Sequence, residues 1–112
     1  MIVDDHEVVR IGMRSLLEQY SQYEVVGEAG NAKEAVAQVE TYNPDIVLMD
    51  IRLPGKSGIE ACEEIKRVHP DIKVLMLTSY AEDEMLFSAI KAGASGYVLK
   101  QIDSEGLIKS LE

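Results

Sequence analysis

The strongest constraint on the fold is a regular alternation between short apolar, β-branched runs and longer stretches with helical spacing. Five runs predict strands, at residues 2–3, 23–29, 45–49, 73–77 and 96–99. All but the second are nearly continuous apolar runs, which is typical of parallel strands buried on both faces. Strict strand–helix alternation in 112 residues therefore predicts one α/β domain, with a parallel sheet, right-handed crossovers and helices on both faces.

The segments between these runs carry apolar residues at the spacing of helices. Asn31, Ser57 and Asp103 are predicted N-caps, and Gly93 is predicted to end the fourth helix. The only cysteine, Cys62, is expected to pack in the core. The predicted apolar faces consist of Val9, Met13, Leu16 and Leu17; Ala32, Ala35, Val36 and Val39; Ile59, Cys62, Ile65 and Val68; Met85, Leu86, Ala89 and Ile90; and Leu107, Ile108 and Leu111.

Charge and hydropathy exclude several classes of function. Twenty acidic against eleven basic residues give a net charge of −9, which repels nucleic acids and acidic membranes. The apolar runs are too short to span a membrane, and no secretory leader precedes them. We therefore expect a cytoplasmic protein that neither enters a membrane nor binds DNA through this segment.

Polar side chains that could bind a ligand or take part in a reaction follow four of the five predicted strands. In an open α/β sheet, ligands bind beyond the carboxyl ends of the strands, so these residues are expected to converge. The end of the second predicted strand, Glu28-Ala29-Gly30, offers less chemistry. The residues at the other four strand ends are Asp4 and Asp5, Asp50, Thr78 and Ser79, and Lys100.

Three converging carboxylates need more counter-charge than one lysine supplies. Two carboxylates about 4 Å apart repel by roughly 4 kcal/mol at an effective dielectric near 20. Mg²⁺ suits such a site, because it binds one or two carboxylates and leaves positions for water and phosphate oxygens. Thr78 and Lys100 would then contact two further phosphoryl oxygens. The sequence thus predicts a magnesium-dependent site for a phosphoryl group.

Each of these residues also has a purely structural interpretation. Asp4 and Asp5 could cap the first helix, Asp50 could be a turn residue, and Lys100 could be a solvated side chain. Their joint placement at successive strand ends favours the functional interpretation.

Three other sequence features near these strand ends do not by themselves indicate a function. Tyr97, taken alone, would be a core aromatic, and His6 is expected to be exposed and inert. Gly55-Lys56-Ser57 imitates the end of a P-loop, but that motif requires glycine where Asp50 stands.

Taken together, the motifs closely resemble the receiver domain of bacterial two-component response regulators along essentially the whole chain. The subfamily with a C-terminal helix-turn-helix of the NarL/LuxR type is the most similar. One departure is Gln101, where many receivers have proline. The motifs that carry the resemblance are Val3-Asp4-Asp5-His6, Leu48-Met49-Asp50-Ile51-Arg52-Leu53-Pro54-Gly55 with Ser57-Gly58, Leu77-Thr78-Ser79 and Gly96-Tyr97-Val98-Leu99-Lys100.

The resemblance implies a fold and an activity. The fold would be a flavodoxin-like (βα)5 sheet of order 2-1-3-4-5, with residues 1–112 forming the receiver domain. Asp50 would accept a phosphoryl group from a phosphohistidine on a sensor histidine kinase. The domain would catalyse only its own phosphorylation and dephosphorylation. The phosphorylated protein would dimerise and would bind DNA only through a C-terminal domain outside this segment.

The resemblance also implies a role for each site residue. Asp4, Asp5, Asp50 and the backbone carbonyl of Arg52 would bind Mg²⁺, for which Mn²⁺ could substitute. Thr78, Ser79 and Lys100 would bind the phosphoryl group, and Tyr97 would move inward when Thr78 does.

A magnesium phosphohydrolase that uses Asp50 as a turnover nucleophile is the alternative. Such enzymes usually carry a second acid two residues further on, where this chain has Arg52.

Overall fold

The computed structural model describes residues 1–53, 55–78 and 88–99. These residues form a five-stranded parallel sheet of order β2-β1-β3-β4-β5, so the predicted topology is confirmed. No helix in the described ranges is long and apolar enough to cross a membrane. The strands are β1 (Ile2–Val3), β2 (Glu28–Ala29), β3 (Ile46–Asp50), β4 (Lys73–Thr78) and β5 (Gly96–Leu99); the helices are α1 (Glu7–Glu18), α2 (Ala32–Tyr42) and α3 (Gly58–Val68), and residues 88–91 are also helical.

Alternate residues of the strands face two separate apolar clusters, one on each side of the sheet. Val3, Met49 and Met76 contribute to the larger cluster, which includes residues of α2 and α3. Ile2 and Leu48 point the other way, into the cluster that contains Leu17 of α1. The period-two alternation of parallel strands thus buries both faces, which explains why their sequences are almost continuously apolar.

Local signals at the helix ends are confirmed where the structure describes them. Asn31 Oδ1 accepts the Glu34 N–H at 2.8 Å, and Ser57 Oγ accepts the Glu60 N–H at 3.2 Å. Gly93 has a φ of 105°, a conformation that glycine adopts without a steric penalty. The Gly93 and Ala94 N–H groups donate to Ile90 and Ala89, the pattern of a Schellman motif. The predicted cap Asp103 lies outside the described residues.

The second strand is shorter than the sequence predicts. Only Glu28–Ala29 of the predicted run 23–29 pairs with a neighbour. The reason is that the ladder partner, β1, contributes only Ile2 and Val3 to the sheet. Tyr23 and Val25 still pack against the α1 side of the core, which accounts for the apolar pattern that suggested a longer strand.

The predicted apolar faces are correct in the first two helices but not throughout. Cys62 and Ile65 are buried as expected, whereas Val68 and Ile90 are more than half exposed. Val68 is the last residue of α3, and Ile90 lies about 100° around its helix from the buried Ala89. The predicted core residues Met85, Leu86, Leu107, Ile108 and Leu111 lie outside the described ranges.

Candidate functional site

Three carboxylates and one imidazole meet at the carboxyl ends of β1 and β3. Ligand atoms of Asp4, Asp5, His6 and Asp50 all lie within 4.8 Å of one another. Asp4 is 0% exposed and Asp50 is 3% exposed. The Asp5 side chain is one-third exposed, so the cluster has a buried floor and an open side.

The sheet register produces this convergence. Val3 of β1 pairs with Met49 of β3, so the next residues along the two strands, Asp4 and Asp50, are neighbours at the sheet edge. Asp4 is held there by its N–H, which donates to the Ala29 carbonyl at 3.0 Å. Two adjacent carboxylates therefore follow directly from the strand pairing.

The start of α3 packs directly beneath Asp50. The Gly58 N–H donates to the Ile51 carbonyl at 2.9 Å. A Cβ atom on residue 58 would lie 2.0 Å from the Asp50 carbonyl oxygen, so only glycine fits. Glycine at position 58 is therefore required by the close packing of α3 against the acidic site.

Short-range hydrogen bonds orient the two buried carboxylates. Asp4 Oδ1 accepts the His6 N–H at 2.8 Å, and Asp50 Oδ1 accepts the Arg52 N–H at 3.2 Å. The Arg10 guanidinium also donates to the Asp4 backbone carbonyl at 2.6 Å. The backbone thus fixes one oxygen of each carboxylate at the sheet edge.

These contacts decide between the structural interpretations of the acids. Helix α1 begins at Glu7 with His6 as its N-cap residue, so neither Asp4 nor Asp5 is the N-cap, although Asp4 Oδ1 accepts the backbone N–H of His6. The Asp50 bond to Arg52 is turn-like and coexists with its place in the cluster.

His6 differs from its sequence-based expectation. Its side chain is 68% exposed, as expected, but Nδ1 lies 3.2 Å from Asp4 Oδ1 and 3.2 Å from Asp5 Oδ1. The His6 ring therefore contacts two members of the cluster, which the sequence alone did not predict. Its position directly after the two aspartates was the one sequence signal that could have predicted this contact.

The remaining predicted site residues lie one and two strands away. Thr78 is the last residue of β4, and the adjacent Leu77 pairs with Asp50, so the Thr78 backbone borders the acidic edge. Tyr97 in β5 is 49% exposed, which excludes the core interpretation. Ser79 and Lys100 lie outside the described residues.

A cavity of about 420 Å³ lies elsewhere, at the opposite end of the strands. Ile46 at the start of β3 lines it, together with Tyr23 and Tyr42, whereas Asp50 ends the same strand. The cavity is therefore separate from the carboxylate cluster.

The donor set fits a hard divalent cation. Mg²⁺ is bound in proteins through oxygen atoms, typically one or two carboxylates, with water and phosphate in the other positions. The cluster supplies two buried carboxylates and a partly exposed third, with its open side towards solvent. An ion held there would neutralise like charges that otherwise repel one another.

Comparison with known proteins agrees with this fold. The family model for the response regulator receiver domain matches residues 1–112. The DNA-binding transcriptional activator DevR/DosR of Mycobacterium tuberculosis is 47% identical over 111 residues, which cover 99% of this chain and 51% of that protein. The response regulator protein VraR of Staphylococcus aureus is 45% identical over 107 residues, which cover 96% of this chain and 51% of VraR.

Solved structures show the same architecture. A LuxR-family two-component response regulator from Aurantimonas sp. SI85-9A1 superposes with a TM-score of 0.94 at 41% identity, covering 99% of this chain and 79% of that one. This chain belongs to the response regulator receiver domain family, whose members act as phosphoacceptor switches in two-component systems. It spans about half the length of the curated relatives that it matches.

Proposed function

We propose that Asp50 accepts a phosphoryl group from a phosphohistidine of a sensor histidine kinase, and that the resulting acyl phosphate switches the conformation of the domain. The observation that carries this proposal is the Asp50 carboxylate itself. It is 3% exposed, yet it lies within 4.8 Å of two other aspartates at the carboxyl edge of the sheet. Such clustering of like charges is costly unless a cation and a transferring group use it.

The metal-binding residues would be Asp4, Asp5, Asp50 and the backbone carbonyl of Arg52. Asp4 and Asp50 each accept a backbone N–H, which would orient one oxygen of each carboxylate in the site. Bound Mg²⁺, or Mn²⁺ in its place, would supply positive charge to the phosphoryl oxygens during transfer.

The transfer step would use Asp50 as the nucleophile. One carboxylate oxygen forms the new P–O bond as the P–N bond of the donor breaks, and the electron pair returns to the imidazole nitrogen. Thr78, Ser79 and Lys100 would bind the phosphoryl oxygens, with Lys100 adding positive charge. The strand-end position of Thr78, beside the Asp50 edge, supports this arrangement. The domain would thus catalyse its own phosphorylation and later dephosphorylation.

The conformational switch would run through Thr78 and Tyr97. A hydrogen bond from the Thr78 hydroxyl to a phosphoryl oxygen would draw this residue towards Asp50. Tyr97, which is about half exposed, would then pack into the vacated space. A ligand-dependent contact of this kind biases a two-state equilibrium by its difference in affinity for the two states.

The output would be transcription, exerted through a separate domain. DevR/DosR is named as a DNA-binding transcriptional activator, and this chain matches about half of its length. Residues 1–112 would be the receiver, followed by a C-terminal helix-turn-helix domain in a cytoplasmic protein that dimerises when phosphorylated. The net charge of −9 argues against DNA binding by the receiver itself.

Labelling with acetyl phosphate tests the proposal. In the presence of Mg²⁺, intact mass spectrometry should show one added phosphoryl group on the native protein and none on Asp50→Asn. Asp71→Asn, which alters an exposed aspartate outside the cluster, is the matched control and should label normally. Equal labelling of Asp50→Asn and native protein would contradict the assignment. Steady turnover of a small phosphate ester would instead favour the phosphohydrolase.

A further inference from the structure

Two arginines of α1 reach across to β2. Arg10 and Arg14 are four residues apart in the helix, so they lie on the same face, about one turn from each other. Both pair with the carboxylate of Glu28: Arg10 Nε lies 3.5 Å from Glu28 Oε1, and Arg14 Nη1 contacts Glu28 Oε2. One acidic side chain of β2 therefore receives two guanidinium groups.

Arg10 and Arg14 differ in their other contact. Arg10 Nη1 donates to the backbone carbonyl of Asp4 at 2.6 Å, whereas Arg14 Nε donates to Glu18 of its own helix at 3.1 Å. The Arg10 side chain is 20% exposed and that of Arg14 is 48% exposed. Arg10 thus forms a largely buried link between α1, β2 and the end of β1, while Arg14 pairs nearer the surface.

The carbonyl that Arg10 holds belongs to the peptide group between the two aspartates. Asp4 directly follows the last residue of β1, and its N–H donates to the Ala29 carbonyl at 3.0 Å. The next peptide lies beyond the strand, and its oxygen is the one that Arg10 contacts. Because a peptide group is planar, fixing this oxygen also fixes the direction in which Asp5 leaves the strand. A single guanidinium therefore constrains Asp4 and Asp5 together.

This constraint concerns Asp5 more than Asp4. The Asp4 side chain is fully buried, whereas the Asp5 side chain is one-third exposed and has less packing to orient it. The direction of the Asp5 carboxylate thus depends strongly on its backbone. Placement errors are costly in a transfer reaction, since a displacement of about 1 Å can lower the rate a hundredfold.

We propose that Arg10 is a positioning residue for phosphoryl transfer, which holds the Asp4–Asp5 peptide at the edge of the acidic cluster while Glu28 holds its guanidinium. The inference rests on the proposed function, in which both aspartates bind the ion that accompanies the phosphoryl group. Glu28, at the strand end that offered less chemistry in the sequence, acts through Arg10.

The maximal rate of labelling by acetyl phosphate at saturating Mg²⁺ tests this role. Arg10→Met keeps the aliphatic stem but removes the guanidinium, and its maximal rate should fall at least about tenfold, the usual effect of losing a group that orients a metal ligand. Arg14→Met is the matched control, because it removes the same charge from the same helix and the same Glu28 partner. It should label at the native rate.

Urea unfolding of both variants separates positioning from stability. A native maximal rate in Arg10→Met, with a lower free energy of unfolding as its only defect, would overturn the proposal. Equal losses of rate in Arg10→Met and Arg14→Met would assign the effect to charge and would overturn it as well.

The role of Glu28 is tested by a double substitution. Glu28→Gln should slow labelling less than Arg10→Met does, because the guanidinium keeps its bond to Asp4. Glu28→Gln should add no further loss in the Arg10→Met background, since groups that act through one another are not additive. Additive losses would contradict the action of Glu28 through Arg10.

A second readout needs neither metal nor phosphate. The Asp5 N–H belongs to the peptide that Arg10 holds, so its backbone amide signal in NMR spectra should shift and broaden in Arg10→Met but not in Arg14→Met. An unchanged Asp5 signal in Arg10→Met would overturn the inference. If the native protein is not labelled on Asp50, the proposed function is wrong, and the Asp5 signal still decides whether Arg10 holds the two aspartates.

Discussion

Replacing Asp50 with asparagine should stabilise the metal-free protein. Ligand atoms of Asp4, Asp5 and Asp50 lie within 4.8 Å of one another, and two unit charges at that distance repel by about 3.5 kcal/mol at an effective dielectric near 20. Asp50 also takes part in other interactions in the fold, which its replacement would change as well. We therefore expect the free energy of unfolding to rise by about 1–2 kcal/mol without metal.

Magnesium should reverse this order of stability. An ion that binds only the folded protein stabilises it by RT ln(1 + [Mg²⁺]/Kd), which is about 2.7 kcal/mol at a hundredfold excess over Kd. The native protein should show this gain, whereas Asp50→Asn should show much less because it lacks one carboxylate ligand.

Urea unfolding followed by far-ultraviolet circular dichroism measures both effects, with EDTA or with Mg²⁺ present. Asp71→Asn serves as a control for the loss of one negative charge outside the cluster, and it should behave like the native protein. The reasoning is refuted if Asp50→Asn is less stable than native in EDTA and its gain from Mg²⁺ is undiminished.

Three further predictions concern the switch, the packing at Gly58 and the core thiol. Thr78→Ala and Tyr97→Ala should still accept phosphate yet lose phosphorylation-dependent dimerisation in sedimentation, because one charge-assisted hydrogen bond shifts a two-state ratio by about ten- to a hundredfold; native-like association of either variant would exclude this coupling. Gly58→Ala should lower the free energy of unfolding by about 1–3 kcal/mol, because the added Cβ would collide with the Asp50 carbonyl oxygen. Gly12→Ala, where a Cβ meets nothing within 4 Å, should not lower it. Burial raises the pKa of the Cys62 thiol from 9.0 to about 11. Thiol reagents should therefore label it rapidly only after unfolding, and its stabilising contribution should be complete below pH 9 and lost as the pH rises towards 11; rapid labelling of the folded protein would contradict this.

The sequence pattern was sufficient for the alternating α/β fold and for the neighbouring aspartates at the sheet edge, whereas the strand order followed from the resemblance to receiver domains. Continuous apolar runs ending in aspartate predict parallel strands whose carboxyl ends meet, and the Val3–Met49 pairing brings Asp4 and Asp50 together as expected. The caps at Asn31 and Ser57 were equally predictable, because each depends on a side chain bonding a backbone N–H three residues away.

Features that depend on tertiary neighbours were not predictable in the same way. The run 23–29 has the pattern of a strand, but its pairing is limited by the two residues that β1 offers. The exposure of Val68 follows from its place at the end of α3, which periodicity alone does not reveal.

His6 shows the same limit within the site. Its chemistry is visible in the sequence, but its contact with both Asp4 and Asp5 depends on how the chain turns between β1 and α1. The residue types at the strand ends were enough to predict where the carboxylates lie, but not that the His6 imidazole lies beside them.

Chemical trapping of the phosphorylated protein tests the central claim most directly. Borohydride reduces an acyl phosphate to an alcohol, so an aspartyl phosphate becomes homoserine and its position can be mapped by peptide mass spectrometry. After treatment with acetyl phosphate and Mg²⁺, the account predicts homoserine at position 50 alone, and none when EDTA replaces Mg²⁺. Homoserine at another aspartate, or labelling at position 50 that is independent of Mg²⁺, would contradict it.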